Sequence, residues 1–400
     1  MKQKLLAVLR ILVSVGILAY LFNSIFEKEA AERLNVIAES PTANASDLAR
    51  ELRVSSAQVA LVRAQGIEKD PESQKDEVNL KRLAWRDRIP LTWALGPQAL
   101  KEVFQKVNVW WFALGIACMG LVCLLGIIRW QLILRVQGLE LKFPRACSIF
   151  FVGMFFNAFL LGSTGGDVIK AWYVAHETHH KKAEAVATVV VDRVIGLLAL
   201  FLIALIMMVM FWHRVYDDKR LRVFTVFTLA VVVGVVGVTA LSFWRGVADK
   251  LPGMRAKLEK LPKYDTMRRL IEACRAYATH PQVLAKTMVV SFCVHFFSML
   301  SIVCVGQGLG ITSATFADYF LYLPIVNCVT AVPISIAGLG VREGMYVAMF
   351  GRVGVAASTA VALSLLGYLA ALFWSLVGAI FYLTHRKEVT AIEHEENAGK

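Results

Sequence analysis

Eight apolar runs dominate the chain, at 5–26, 109–128, 146–162, 184–212, 223–243, 284–306, 316–333 and 356–383. Most approach or exceed the roughly 20 residues with which a helix crosses a bilayer core. Inside that core every backbone N–H and C=O must be satisfied within the segment, so the runs predict helices. The sequence is 57% hydrophobic, above the about 45–50% of soluble globular proteins. No soluble core of this size absorbs so many such runs. The class is an all-α polytopic membrane protein.

Charge then sets the topology. A formal charge of +13 would suggest nucleic acid in a soluble protein. Here the excess sits in short loops beside apolar runs, as the positive-inside rule expects. Lys2 and Lys4 put the N-terminus in the cytoplasm, and Arg129, Arg135, Lys142 and Arg145 do the same for the loop after the second run. Lys181 and Lys182, the basic linker 244–282 and His385-Arg-Lys387 follow the same rule. The basic segment 213–222, external in this scheme, does not. No A-x-A-like site directly follows the first run, so 5–26 reads as a retained span and not a signal peptide. The seven cysteines form no CxxC pair and mostly sit in apolar runs, which points to neither a disulfide framework nor a zinc site.

Two runs do not fit as simple spans. The run 146–162 starts and finishes on the cytoplasmic side, so it should enter, break at Gly162-Ser-Thr-Gly-Gly-Asp167 and return. The run 316–333 should enter from outside, break at Pro333-Ile-Ser-Ile-Ala-Gly-Leu-Gly340 and return. Such breaks are tolerated where the backbone is buried or lines a cavity. About six full spans plus two re-entrant half-helix hairpins, near 146–178 and 316–350, then form an inverted repeat of the kind found in secondary transporters. The domain reading is a first span at 1–26 and an extracytoplasmic insert at 27–107. The first repeat continues, with the start of the second, at 108–243. A cytoplasmic basic amphipathic linker occupies 244–282, the second repeat finishes at 283–383, and a cytoplasmic tail covers 384–400.

The insert carries acidic and basic residues in equal number, and two amphipathic helices at the outer surface are expected from it. Its stretch Asp47-Leu-Ala-Arg-Glu-Leu-Arg-Val-Ser-Ser-Ala-Gln-Val59 faintly resembles a helix-turn-helix. Neutrality and topology argue against nucleic acid.

Charge at membrane depth is costly, so each such residue is a functional candidate. These are Asp167 and Lys170, one turn apart on one helical face, Asp192 and Arg193 in the run 184–212, and Arg342 and Glu343 after the second break. They could pair with one another as structural glue, or line a cavity and meet a polar headgroup. Half-helices starting near Gly165 and Gly166, and near Gly338 and Gly340, would point their unsatisfied N–H groups at an anion. Glycine at these breaks, with Pro333 at the second, permits the turn and close backbone approach. Asn157 could hydrogen-bond between helices. His176-Glu-Thr-His-His180 matches H-E-x-x-H, but no third zinc ligand is evident, and chance matches to so short a motif are common. No metal, cofactor or catalytic residue is assigned.

Three strings carry a resemblance. Gly165-Gly-Asp-Val-Ile-Lys-Ala-Trp172, Val191-Asp-Arg-Val-Ile-Gly196 and Pro333-Ile-Ser-Ile-Ala-Gly-Leu-Gly-Val-Arg-Glu-Gly344 are similar to hallmark segments of the lysylphosphatidylglycerol synthase transmembrane-region family. The likeness covers roughly 109–383 and the first span. It implies a flippase-like protein of the cytoplasmic (inner) membrane that moves a lipid between leaflets, its phosphate held by Lys170, Arg193 and Arg342. Asp167 and Glu343 would hold those cations or carry a coupling proton. The sequence departs from the pattern in three ways: Lys170 stands where arginine is usual, Leu161 where proline is expected, and no synthase domain follows the last span. A membrane lipid is the expected partner, with a homo-oligomer and a separate lipid-modifying enzyme left open. The rival readings are a membrane-embedded enzyme acting on a lipid-linked substrate and a non-transporting assembly protein.

Overall fold

Apolar side chains around a whole helix leave no face for water, so such helices stack against one another or against lipid. A computed structural model describes residues 2–69, 76–159, 165–177, 182–243, 272–331 and 338–398. Its elements are almost all helical. Among the described residues, four helices are long and apolar enough to cross a membrane: Val109–Val136, Ala183–Met210, Pro281–Gly308 and Ala357–Leu383. Shorter apolar helices lie at Phe143–Ala158, Leu221–Gly234 and Phe316–Ala331. The chain is an all-α multi-pass membrane protein.

In chain order the elements begin with α1 (Lys2–Glu39), α2 (Ala45–Leu52), α3 (Ser56–Leu61), β1 (Ile67–Lys69), β2 (Asp76–Val78) and α4 (Trp85–Gln105). The membrane-type helices follow as α5 (Val109–Val136), α6 (Phe143–Phe159), α7 (Gly165–Glu177) and α8 (Lys182–Met210). After the short α9 (Trp212–Asp217) come α10 (Lys219–Phe243), α11 (Pro281–Gly308), α12 (Phe316–Ala331), α13 (Val341–Phe350) and α14 (Ala357–Ala398). The break segments 160–164 and 332–337, with Leu161 and Pro333, lie outside the described residues, as does most of the linker 244–282.

The chain divides into two compact units. The first comprises residues 1–110, 306–314 and 338–366. Here α1 does not stop at the end of its apolar run; it continues as one helix to Glu39. Nor is the insert merely two amphipathic helices. The second half of α1, α2, α3, the antiparallel β1–β2 pair and α4 enclose a core of Leu34, Ile37, Val59, Val62, Leu80 and Leu91. Sequence periodicity missed this because the core is assembled from short segments, each contributing one or two apolar residues. Local capping fixes those segments: the Ser55 hydroxyl accepts from the Gln58 N–H at 3.2 Å while the Gln58 side chain accepts from the Ser55 N–H at 2.9 Å.

The second unit comprises 111–305, 315–337 and 367–400. Its core gathers Trp130, Leu134, Ile149, Val152 and Val174 from α5, α6 and α7. The later part of α14 joins them: Trp374 stacks on Phe151 and donates its indole N–H to the Ile116 carbonyl at 2.8 Å. Close helix contact of this kind rests on packing and interhelical hydrogen bonds, since lipid removes most of the hydrophobic drive.

Candidate functional site

The crossing of α6 and α7 sets the geometry. A Cβ at Gly166 would lie 1.9 Å from the Gly153 carbonyl oxygen, so only glycine lets the two backbones approach this closely. The Gly166 N–H, one of the donors a helix start leaves without an intrahelical partner, is taken by the Asn157 Oδ1 at 2.9 Å. The Asn157 amide in turn donates to Asp167 at 3.4 Å. Asn157 therefore ties α6 to the first turn of α7 and orients Asp167.

The charges one turn apart on α7 do not pair with each other. Each reaches across to α8, where Asp192 and Arg193 are consecutive and so point about 100° apart. Asp192 is buried and Arg193 exposed. The Lys170 ammonium lies 3.7 Å from Asp192, and Asp167 accepts from the Arg193 Nε at 2.5 Å. Lys170 is 5% exposed, and its ammonium also sits 3.9 Å from the centre of the Trp130 ring and 4.8 Å from that of Phe150. Aromatic faces compensate part of the hydration that such a cation gives up.

A further member of this cluster comes from α5. Arg129, expected in a cytoplasmic loop, lies within α5, which runs on to Val136. Its Nε donates to Asp192 at 2.9 Å and its Nη1 to the Ser291 hydroxyl at 3.1 Å. The hydropathy window closes at the charge, but the apolar spacing Ile127, Trp130, Ile133 and Leu134 continues on the buried face. That 3.6-residue period was the available signal. Ser291 and His295 of α11 were also missed; the His295 Nε2 lies 3.0 Å from the Gly196 carbonyl.

These groups line a cavity of about 260 Å³, bordered by Arg129, Asn157, Asp167, Lys170, Asp192, Arg193 and His295. Three cations face two carboxylates, so the cavity holds one positive charge in excess. Beside it, an apolar groove of about 680 Å³ runs between α7 and α8, lined by Val168, Trp172, Val186, Val190 and Val194. Asp167, Arg193 and Leu197 border both spaces.

The second cluster belongs to the first unit. Gly340 has φ +82° and Gly338 φ +74°, left-handed conformations that favour glycine. The Gly340 N–H donates to Glu343 at 2.6 Å, which caps the start of α13. The opposite oxygen of Glu343 accepts from Arg342 at 2.7 Å and from the Ser364 hydroxyl at 3.0 Å, and the Arg342 Nε donates to Ser364 at 3.0 Å. Glu343 is wholly buried. Its carboxylate is accordingly saturated by a backbone donor, a guanidinium and a hydroxyl, which is what a buried charge requires.

Of the H-E-x-x-H residues, 178–180 lie outside the described residues. Glu177 forms an ion pair with Arg145, and the His176 ring lies 5.5 Å from that of Trp172. Among the described residues no group of three or more His, Cys, Asp or Glu gathers as a metal site.

Comparison with known proteins accords with these motifs. A UPF0104 membrane protein of Pyrococcus horikoshii is 22% identical over 318 residues, covering 74% of this chain and 93% of the relative. A UPF0104 membrane protein of Methanothermobacter thermautotrophicus is 25% identical over 317 residues, covering 70% of this chain and 86% of the relative. No solved structure matches the chain. The family model described as lysylphosphatidylglycerol synthase TM region matches residues 89–378, a stretch that carries α6 to α8, α13 and both charge clusters, and the chain belongs to that family.

Proposed function

We propose that this protein moves a lipid with an anionic or phosphate-bearing headgroup between membrane leaflets. The observation that carries the reading is the shared border of two unlike spaces. A polar cavity with one excess positive charge opens beside an apolar groove, and the Asp167–Arg193 pair stands at their junction. A headgroup fits the first space chemically and an acyl chain the second. Charged residues at membrane depth that face a cavity commonly mark substrate pathways. In this reading Arg193 exchanges its bond to Asp167 for a phosphate oxygen, and Asn157 keeps the released carboxylate in place. Lys170 and Arg129 supply the field behind it, held by Asp192. On the sequence pattern of charge after a glycine-rich break, Arg342 and Glu343 are assigned to the same activity.

The test is lipid exchange in proteoliposomes that carry a fluorescent anionic phospholipid in both leaflets. An impermeant quencher added outside should extinguish more than the outer-leaflet pool, and Arg193→Gln should slow this strongly. Wild-type protein indistinguishable from empty liposomes would overturn the proposal. A chemically altered lipid recovered at the end would point instead to an enzyme.

A further inference from the structure

The segment preceding residue 89 lies outside the family match, yet α4 presents a surface that a water-soluble insert would not keep. Trp85, Ile89 and Trp93 recur every four residues along one face and are 62%, 44% and 49% exposed. The opposite face, with Leu91, Leu95 and Ala99, is buried. A helix with two faces of this kind, tryptophans outward, carries the aromatic anchors that are enriched where a protein meets the edge of a bilayer.

Register against α1 supplies an independent indication. The Trp93 indole N–H donates to Asn23 at 3.3 Å, a Cβ at Gly96 would meet Phe26 at 2.2 Å, and Glu102 pairs with Arg33 at 2.8 Å. Residue numbers rise together on both helices, so α4 runs parallel to α1. Asn23 and Phe26 close the apolar run of α1, and Glu27-Lys28-Glu29 follow. Ile89 and Trp85, N-terminal to Trp93, therefore sit beside the part of α1 that is still apolar. Only three residues separate the end of α4 from the span that begins at Val109, so its far end is also held near the membrane by chain reach. The Arg86 guanidinium lies 5.4 Å from the Trp85 ring centre.

We infer that the Trp85–Ile89–Trp93 face of α4 is seated in the bilayer against acyl chains, beside the last turns of the apolar run of α1, with Trp93 nearest the headgroups. This anchor fixes the insert to the membrane surface and is separate from the two charge clusters.

The test uses full-length protein in vesicles containing phosphatidylglycerol, with its native cysteines replaced and a nitroxide attached singly at position 85, 89 or 81. Collisions with oxygen, which concentrates in lipid, are compared with those of a water-soluble nickel chelate. The expected result is a positive depth parameter at 85 and 89 and a negative one at 81. Nickel collisions dominating at 89 would show a water-exposed face and overturn the inference. An immobilised label shielded from both reagents would show a protein partner, including a second copy of this chain, and would overturn it equally.

Discussion

Removal of Asp192 tests the central cluster most directly. Its carboxylate sits 2.9 Å from the Arg129 guanidinium and 3.7 Å from the Lys170 ammonium, with all three side chains between 6% and 12% exposed. At an effective dielectric of about 20, these separations correspond to gross Coulomb attractions of about 6 and 4 kcal/mol, much of it offset by desolvation. The net effect is set by what is left behind. In Asp192→Asn two buried cations lose their shared counter-ion, and breaking such a pair costs about 3–5 kcal/mol. In Lys170→Met the Arg129–Asp192 pair survives, charge for charge, and an apolar chain of similar length fills the space. The loss is then mainly the cation–π contact with Trp130, worth about 2 kcal/mol when desolvated. The double variant removes one of the two stranded cations, so it should be less destabilised than the sum of the singles, by a coupling within the about 0.5–3 kcal/mol seen for residues in contact. Equilibrium unfolding in mixed detergent micelles measures all three. Equal effects of Asp192→Asn and Lys170→Met, or strict additivity, would refute this account of the cluster. Arg193→Gln serves as the contrast. Glutamine keeps a donor for Asp167, whose carboxylate is also held by the Asn157 amide, so this variant strands no buried cation and should cost less stability than Asp192→Asn while impairing lipid exchange.

Glu343→Gln removes the charge that Arg342 faces and weakens the cap on α13; a stability loss of about 3–5 kcal/mol is expected for a buried pair, read by the same unfolding assay. Arg342→Lys keeps the charge but not the two-pronged bonding to Glu343 and Ser364, and it should be milder in stability than Glu343→Gln. If Arg342 also meets lipid phosphate, the same lysine variant lowers exchange. Gly166→Ala forces α6 and α7 apart, because its methyl group cannot share space with the Gly153 carbonyl; a loss at the upper end of ordinary substitutions, above about 3 kcal/mol, should appear in thermal unfolding. Sidedness follows from loop charge. A membrane-impermeant maleimide added outside should label a cysteine at position 60, which is exposed in the insert, and not one at 142, and labelling of both or the reverse pattern would overturn the topology.

Much of this protein is written in its apolar runs. Their length and their lack of polar faces leave helices in a membrane as the only way to satisfy the backbone. Charge at 192 and 193 inside such a run, and at 167, 170, 342 and 343 just after the two glycine-rich breaks, marks candidate positions, because desolvated charge survives only where something compensates it. What that something is could not be read from the sequence. Asp167 and Lys170 share a face of one helix and look like each other's partners, yet each finds its counter-charge on α8. Arg129 looks like a loop residue, yet α5 carries it to Asp192. Hydropathy falls at a charge whether a helix ends there or continues, and only the packed neighbours decide between the two. The same limit hid the core of the insert, whose apolar residues are scattered over short segments that become a face only when folded together. The sequence thus determined the environment and the candidate charges. Tertiary structure decided the pairing, because electrostatic and packing partners are chosen across helices, where spacing along the chain carries no information.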